Sequence, residues 1–408
     1  MYLPNLKVLK LINFESLKEL PSDLANLVNG LRELTLSNCK SLEQLPYSIS
    51  KLKDLGVLKV DHCDRLKVLP RRLGKLTSLV ELDLSNCQNL KQLPKDFGLL
   101  KSVQVLNFKH CESLEALPVS FVELLSLRVL NLSFCKALKH LPDRLGNITS
   151  LVQLDLSYCQ SLNSIPESIG ELSLRVLNLS FCKALKNLSD SLGNLTSLVQ
   201  LDLSSCQSLS SFPESVGNLK LLSSMNISSC LGMKELPPGF CNLFITSLEL
   251  TACSRLEKLP DQFGEIKSLR VLKLKSCTQL QKLPLSFPEL RYLEQLDLSG
   301  CHGLQKLCVD FHCLLSLQAL SLEGCRHLKQ LSQEFRLPSS LRHLDLRNCE
   351  MLEGECMDDV LQLKKLELLY IANSPKLQER WRQIPRPRDA PWPFKVDVGK
   401  VMLTATHP

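Results

Sequence analysis

The sequence predicts an α/β solenoid bent into a horseshoe, with a parallel β-sheet on its concave face and short helical or irregular returns on its convex face. Alignment on the cysteines reveals 16 repeats of about 24 residues, which extend from Leu6 to the neighbourhood of Trp381. Leu occupies the fourth position in 15 of the 16 repeats, and the twelfth position again in 15 of 16. Only 5% of the chain is aromatic while 44% is hydrophobic, which is typical of one packing unit repeated many times.

The strand of each repeat is indicated by alternating polarity at its start. In the segment LVELDLS of the fourth repeat, apolar and polar residues alternate with period two, which is the pattern of a strand with one buried face. Leu82 and Leu84 are predicted to point into the core, and Glu81 and Asp83 to the other side. Because one repeat cannot bury such a face alone, neighbouring repeats must stack through a parallel sheet.

The return of each repeat follows a turn beneath the core. Cys87 and Leu90 are predicted to lead the chain back, and the segment LPKDFGLL then places Phe97 inward on a short irregular or helical stretch. This stretch begins at Pro94, where the missing backbone N–H costs little because a turn or a first helical position leaves it unused. Eleven repeats keep this proline, so we expect the returns to share one conformation.

Two pairs of repeats are near copies of each other. Residues 126–172 and 173–219 match at 38 of 47 positions. This indicates expansion by duplication of two repeats at a time, which a solenoid tolerates because each repeat contacts only its neighbours.

One long repeat domain, residues 6–381, accounts for most of the chain. Residues 1–5 are interpreted as the remainder of a preceding repeat without an N-terminal cap, so we expect a fragment or a product that lacks its upstream domain. Residues 382–408 are interpreted as a C-terminal tail. Either Trp381, Trp392 and Phe394 cap the final turn, or the tail is flexible and binds a partner.

The pattern L-x-x-L-x-L-x-x-C-x-x-L-x-x-L-P resembles the leucine-rich repeat over more than nine-tenths of the chain. With Cys in the ninth position and LP at the turn, it is similar to the repeats of plant intracellular immune receptors of the nucleotide-binding type. Related cytosolic repeats of the Ras-scaffold type also use LP but usually carry Asn in the ninth position. Extracellular plant repeats typically read G-x-I-P, which is absent here.

The resemblance implies a protein-recognition module of plant innate immunity, which senses pathogen effectors on its concave face and restrains a nucleotide-binding switch. That switch is expected as a nucleotide-binding domain in a longer product. An alternative is a stand-alone cytosolic scaffold that holds a small GTPase or a phosphatase. An extracellular receptor ectodomain or inhibitor is a third interpretation, disfavoured because no secretory signal is recognised.

Eighteen cysteines are explained mainly by the repeat register. Fourteen of them occupy the ninth position, an inward corner where a thiol can donate a weak hydrogen bond to a carbonyl. All fourteen are equivalent, so no disulfide pairing is specified, and a reduced ladder is expected. The ladder predicts a reducing compartment, the cytoplasm or the nucleus. These residues are Cys39, Cys63, Cys87, Cys111, Cys135, Cys159, Cys182, Cys206, Cys230, Cys253, Cys277, Cys301, Cys325 and Cys349.

The segment CHGLQKLCVDFHC, residues 301–313, invites a zinc interpretation. Zinc needs four ligands within about 2.3 Å of one point. In the repeat register Cys301 lies on the inner corner, whereas Cys308 and His312 lie on the return, across the coil. We therefore expect substituted turn positions and no metal site.

Catalysis and several classes of partner are disfavoured by the sequence. No G-x-x-x-x-G-K-[ST] loop occurs, and no third group orients a base against a nucleophile, so neither an enzyme nor a cofactor is expected. The formal charge is +7, of which +4 falls in residues 376–408, so the repeats lack the basic face of a nucleic-acid binder. No run of 18 apolar residues occurs, so no membrane span is expected.

Two patches are candidate protein-binding sites. His110, Phe134, Tyr158 and Phe181 occupy the eighth position of four consecutive repeats and are predicted to stack into an aromatic column. Such a column could form an interface hot spot, or it could lie over the corner and shield the cysteines, which is the favoured interpretation.

The second candidate patch is basic and lies on one strand. Arg270, Lys273 and Lys275 are three outward positions of that strand, and they are predicted to oppose acidic outward residues such as Asp155 and Asp202 of earlier repeats. Such a polarised face would steer a charged partner, whereas ordinary solvated charge is the simpler interpretation. The alternation of Asn and Asp in the fifth position is interpreted as a hydrogen-bond ladder between neighbouring strands.

Overall fold

The structure of the chain, a computed structural model, describes residues 3, 5–28, 30–307, 310–331, 337–384, 394–399 and 402–403, the last two by their backbone alone. These residues form two compact parts, an N-terminal part, Met1–Ser208, and a C-terminal part, Leu209–Pro408. Each part is a solenoid of parallel strands joined by short returns, as the repeat pattern predicts.

The N-terminal part contributes one strand from each repeat to a parallel sheet. Equivalent residues pair from strand to strand, as Leu82 does with Leu106, and Leu106 with Leu130. The strands are β1 (Val8–Ile12), β2 (Glu33–Ser37), β3 (Val57–Asp61), β4 (Glu81–Asp83), β5 (Val105–Asn107), β6 (Val129–Asn131), β7 (Gln153–Asp155), β8 (Val176–Asn178) and β9 (Gln200–Asp202).

The C-terminal part repeats this arrangement. Its parallel sheet contains β10 (Ser224–Asn226), β11 (Ser247–Glu249), β12 (Val271–Lys273), β13 (Gln295–Asp297), β15 (Ala319–Ser321), β17 (His343–Asp345), β18 (Leu368–Tyr370) and β19 (Lys395–Asp397). On the return side, β14 (Lys306–Leu307) pairs with β16 (Gln330–Leu331), and β20 (Met402–Leu403) runs antiparallel to β19.

Most returns are single turns of 3-10 helix. The proline of the LP pair precedes several of them, as Pro118 precedes the turn that contains Phe121, which is fully buried. In the N-terminal part the turns are Tyr47–Lys51, Leu73–Lys75, Phe97–Leu99, Val119–Glu123, Leu145–Asn147, Glu167–Glu171 and Asp190–Asn194. In the C-terminal part they are Glu214–Asn218, Pro238–Asn242, Phe263–Glu265, Phe287–Glu289 and Phe311–Cys313. The α-helices are α1 (Leu24–Leu27), α2 (Cys356–Val360) and α3 (Pro375–Gln383).

The core of each repeat consists of the inward residues that the pattern predicts. Leu82, Leu84, Cys87, Leu90 and Phe97 are all fully buried. Their complete removal from water is the main stabilising contribution of the repeat, about 1.5–3 kcal/mol for a large apolar side chain. The stacked repeats thus form one continuous row of leucines in each part.

The cysteine ladder links each repeat to the preceding one. The Cys87 thiol donates to the Val60 carbonyl oxygen at 3.0 Å, and the Cys111 thiol to the Leu84 carbonyl oxygen at 3.2 Å. The described cysteines are free, and those of the ladder are buried. This confirms the predicted inward corner, where the thiol is a second donor to a carbonyl such as that of Leu84, which also accepts the Cys87 N–H at 3.3 Å.

At the C-terminal end, Trp381 lies on α3 and its ring centroid is 6.3 Å from that of Phe394, which is buried. Directly after Phe394, β19 pairs with β18. Phe394 thus lies over the last repeat, as the capping interpretation predicts, and Trp392 lies outside the described residues.

Candidate functional site

The eighth position of each repeat is a corner with left-handed backbone conformation. Phe134, Tyr158 and Phe181 have φ values of 62°, 61° and 60°, a region that bulky residues seldom adopt because the side chain crowds the backbone. The corner is held because its N–H donates across the repeats, as the Phe134 N–H does to the Ser157 carbonyl oxygen at 2.8 Å. Asn, Ser or Gly, which tolerate this conformation better, occupy the corner in most other repeats.

The predicted aromatic column is present. The centroid of the His110 ring lies 4.0 Å from that of Phe134, and the Phe134–Tyr158 and Tyr158–Phe181 centroids are each 4.1 Å apart. The four rings are half-buried, so each covers part of the corner and also presents an edge to solvent. The column (His110, Phe134, Tyr158 and Phe181) is the largest exposed aromatic array described, and its role in binding stays a prediction.

Beside the last three rings of the column, the third and seventh positions of the strand face are uncharged, whereas the second and fifth positions carry charges such as Arg128 and Asp155. The seventh-position residues Ser133, Ser157 and Ser180 are buried to 3%, 7% and 7% exposure, and Val129 and Val176 lie half-buried in the third position. Towards the N-terminal end, by contrast, the same face carries ion pairs between neighbouring strands. There Lys10 pairs with Glu33 at 2.8 Å and Lys59 with Glu81 at 2.9 Å.

The fifth-position residues act within their own strand, so the interpretation as a ladder between strands was wrong. The Asp155 carboxylate accepts the N–H of Ser157 at 2.9 Å, and the Asn178 side-chain oxygen accepts that of Ser180 at 3.0 Å. An acceptor two residues before an N–H is the arrangement of an Asx turn. These residues end the strand and lead the chain into the left-handed corner.

The basic strand β12 is largely neutralised by its neighbours. The Arg270 guanidinium pairs with Glu294, and the Lys273 ammonium lies 3.4 Å from a Glu249 oxygen. Exposed pairs of this kind contribute about 0–1 kcal/mol. Lys275 is exposed, so it is the remaining positive charge of the predicted basic patch on this strand.

A cluster around Arg347 in the C-terminal part was not predicted. Its guanidinium lies 2.5 Å from the Asp345 carboxylate, 3.4 Å from that of Glu323, and 5.1 Å from the centre of the Tyr370 ring. The hydrogen bond to Asp345 raises the pKa of Arg347. The sequence signal that could have revealed it is a pair of opposite charges in the fifth and seventh positions of one repeat, Asp345 and Arg347, with Glu323 in the seventh position of the preceding repeat. The cluster borders a groove of 270 Å³ over Ser321.

The cysteines offer no site for nucleophilic chemistry in the ladder. Burial raises the pKa of Cys63, Cys111 and Cys159 to about 12, so these thiols stay protonated and unreactive at neutral pH.

The cysteines and histidines of the segment 301–313 do not converge. Cys301 is buried in the ladder, whereas His312 and Cys313 lie on the return, and Cys308 lies outside the described residues. No group of three His, Cys, Asp or Glu side chains in the described part could hold a metal ion. Among the described helices none is long and apolar enough to cross a membrane.

Comparison with known proteins places this geometry among repeat proteins. A family model described as a leucine-rich repeat region matches residues 82–208 and 172–283, and a second, described as a leucine-rich repeat, matches residues 30–52. Neither is a catalytic family. No curated protein matches the chain.

The solved structures that match the chain include bacterial and plant proteins. A leucine-rich-repeat protein of Leptospira interrogans is 26% identical, with 93% of this chain and 94% of that chain covered and a TM-score of 0.61. The functional domain of InlJ from Listeria monocytogenes, which includes a cysteine ladder, is 19% identical over 76% of this chain and 68% of that chain (TM-score 0.42). The ectodomain of the Arabidopsis thaliana receptor kinase GASSHO1/SCHENGEN3, in complex with CASPARIAN STRIP INTEGRITY FACTOR 2, is 21% identical over 91% and 59% (TM-score 0.36).

Proposed function

The chain belongs to the leucine-rich-repeat family, and on this basis we propose that it is a non-enzymatic protein-recognition module whose ligand contacts the column and the adjoining strand face. One observation carries the proposal. Phe134, Tyr158 and Phe181 are half-exposed in a backbone conformation that costs a bulky residue about 1 kcal/mol or more. A strained conformation kept at an exposed aromatic array is a feature of binding sites.

The residue composition of the surface around the column also supports the column as the place where the ligand binds. Interface cores are depleted of charge and enriched in aromatic residues. Buried serines and half-buried valines flank the column. The N-terminal end of the strand face instead carries lysine–glutamate ion pairs. A ligand that covers the column would therefore meet uncharged third- and seventh-position residues beside its last three rings, and the Asp155 and Asp202 carboxylates of the fifth position.

We further propose that the recognition serves plant innate immunity in the cytoplasm or the nucleus, where the module senses a pathogen effector and restrains a nucleotide-binding domain of a longer product. The support is the similarity of the repeats to those of plant intracellular immune receptors, with Cys in the ninth position and LP at the turn. The all-thiol ladder adds to it, because free buried cysteines suit a reducing compartment.

The proposal is tested by a two-hybrid screen of the full chain against two libraries, one of plant-pathogen effectors and one of plant cytosolic proteins. Each hit is re-tested against the double variant Phe134→Ser, Tyr158→Ser and against Val119→Ser, an exposed residue on a return. We expect effector hits that are lost with the double variant and kept with the control. Hits that consist of small GTPases or phosphatases would instead support the scaffold alternative, and hits indifferent to the column would overturn the proposed site.

A further inference from the structure

The column has one open end. Among the described residues, the ring contact of Phe181 is to Tyr158, on one face only. The next corner belongs to Ser205, which has φ of 60° like the other corners and is half-buried. Where a fifth ring would stack, the chain supplies only a hydroxymethyl group, so the second face of Phe181 is free to accept a planar group.

The near-copied repeats indicate which kind of side chain fits at the corner of Ser205. In the matching segments 126–172 and 173–219, Phe134 corresponds to Phe181, and Tyr158 corresponds to Ser205. The same backbone corner therefore holds an aromatic ring in one copy and a small side chain in the other. The open space over Ser205 has the dimensions of one stacked ring, because successive centroids in the column are 4.0–4.1 Å apart.

Charge next to the open face favours a cation. Asp202 precedes Ser205 by three residues, and one of its carboxylate oxygens accepts the Ser204 N–H at 2.8 Å. Among the described residues, no cation pairs with this carboxylate, nor with that of Asp155 in the same fifth position. Lys183 follows Phe181 by two residues and is exposed, so its flexible stem lets the ammonium turn into solvent.

We infer that the open face of Phe181, over Ser205, binds an arginine side chain of the protein ligand, with the guanidinium stacked on the ring and paired with the Asp202 carboxylate. This rests on the proposed function, in which the ligand covers the column. A planar guanidinium suits the place better than an ammonium, because it stacks on aromatic rings and is weakly hydrated. The aromatic face supplies stacking and the carboxylate supplies the selectivity for charge.

A random dodecapeptide library displayed on phage, selected on the full chain, tests the inference. We expect an enriched peptide family with an invariant arginine. Its affinity should fall about 5- to 30-fold with Phe181→Ala, as for loss of a cation–π contact with partial desolvation, and fall also with Asp202→Asn. Replacement of the peptide arginine by citrulline, which keeps the shape and removes the charge, should weaken binding similarly.

The variant Ser205→Tyr is the sharpest test, because it restores the residue of the other copy and should close the open face. We expect it to lower arginine-peptide affinity at least tenfold with an unchanged melting temperature. The matched control is Asn38→Tyr, at a corner with φ of 54° three repeats before His110, which should leave affinity unchanged. Phe181→Leu serves as a second variant should the alanine variant prove unstable.

Failure of this inference and failure of the proposed function give different results. Peptides that lose affinity with Phe134→Ser but not with Ser205→Tyr, or a selection that returns no arginine-bearing family, would overturn the arginine site and leave the column as the binding face. Selected peptides indifferent to every column variant would overturn both.

Discussion

The rings of Phe134 and Tyr158 stack 4.1 Å apart with their planes 8° from parallel, although both residues have a positive φ. Two effects therefore compete at each corner. The left-handed backbone disfavours a bulky residue by about 1–2 kcal/mol. Each stacked pair of rings stabilises the fold by about 0.5–1.5 kcal/mol in addition to the effect of burial. A residue inside the column stacks on both faces, so stacking there offsets much of the backbone cost.

Stacking predicts a measurable coupling between Phe134 and Tyr158. In a double-mutant cycle with alanine, we expect an interaction free energy of about 0.5–1.5 kcal/mol from urea unfolding. His110 and Phe181, the two ends of the column, are the control pair and should be additive. Additivity of Phe134 and Tyr158 would mean that the stack contributes nothing to stability.

Alkaline pH is expected to destabilise the protein through the ladder. Burial raises the pKa of Cys159 from its ordinary 9.0 to about 12, so the folded thiol keeps its proton where the unfolded thiol loses it. Its contribution is complete below pH 9 and falls as pH rises towards 12, by about 1.4 kcal/mol per pH unit for each such thiol.

Urea unfolding with a reductant at pH 7.5, 8.5 and 9.5 measures this dependence. Cys159→Ser, in which the hydroxyl can still donate to the Leu132 carbonyl oxygen that the thiol contacts at 3.2 Å, should show a shallower fall above pH 9. A slope identical to that of the wild type would contradict the role of the thiol.

Thiol labelling should separate Cys313 from the ladder. Of the described cysteines, Cys313 and Cys356 are not fully buried, and the Cys356 thiol donates to the Glu353 carbonyl oxygen at 3.3 Å. We expect a water-soluble aromatic disulfide to label Cys313 within minutes, and ladder residues such as Cys135 only after denaturation. Mass spectrometry of the digested protein identifies the labelled residue, with Cys313→Ser as the control. Rapid labelling of Cys135 in the native protein would contradict the packing described.

Close packing of the returns makes Gly98 intolerant of a side chain. A Cβ atom there would lie 1.9 Å from the Ser120 carbonyl oxygen of the next return, so Gly98→Ala should cost about 1–3 kcal/mol, as overpacking does. At Gly56 the nearest contact of a Cβ would be 3.7 Å, to the Arg32 carbonyl oxygen, so Gly56→Ala should be neutral or slightly stabilising. Urea unfolding of the two variants checks the contrast, and equal stabilities would contradict it.

The sequence was sufficient to predict the repeat, the inward leucines and the place of the cysteines. Positions such as Leu82 and Cys87 are specified by a period that recurs 16 times, and burial of the same face in every repeat leaves one register that satisfies them all. The column was also predictable, since residues in equivalent positions of stacked repeats become neighbours one strand apart.

Other features depend on backbone detail that a period does not carry. The left-handed conformation of Phe134 could not be expected from its residue type, because the neighbouring hydrogen bonds impose it. An Asp side chain can accept within its own strand, as Asp155 does in its Asx turn, or can hydrogen-bond to a neighbouring strand. The residue type is the same in both cases, so only the geometry distinguishes them. Likewise, the pairing of Arg270 with Glu294 depends on side-chain rotamers that sequence spacing leaves free.

The hydrogen bonds of the ladder thiols bear on how the number of repeats can change in evolution. Ladder cysteines donate to a carbonyl in the repeat immediately before their own, as Cys182 does to Leu156 and Cys206 to Leu179. No cysteine depends on a particular neighbour, since every repeat supplies an equivalent acceptor. Unequal recombination can therefore add or remove whole repeats without leaving a ladder thiol that has no carbonyl acceptor. The length of the strand face is thus a heritable variable that changes by whole repeats, whereas the chemistry of each corner evolves one residue at a time.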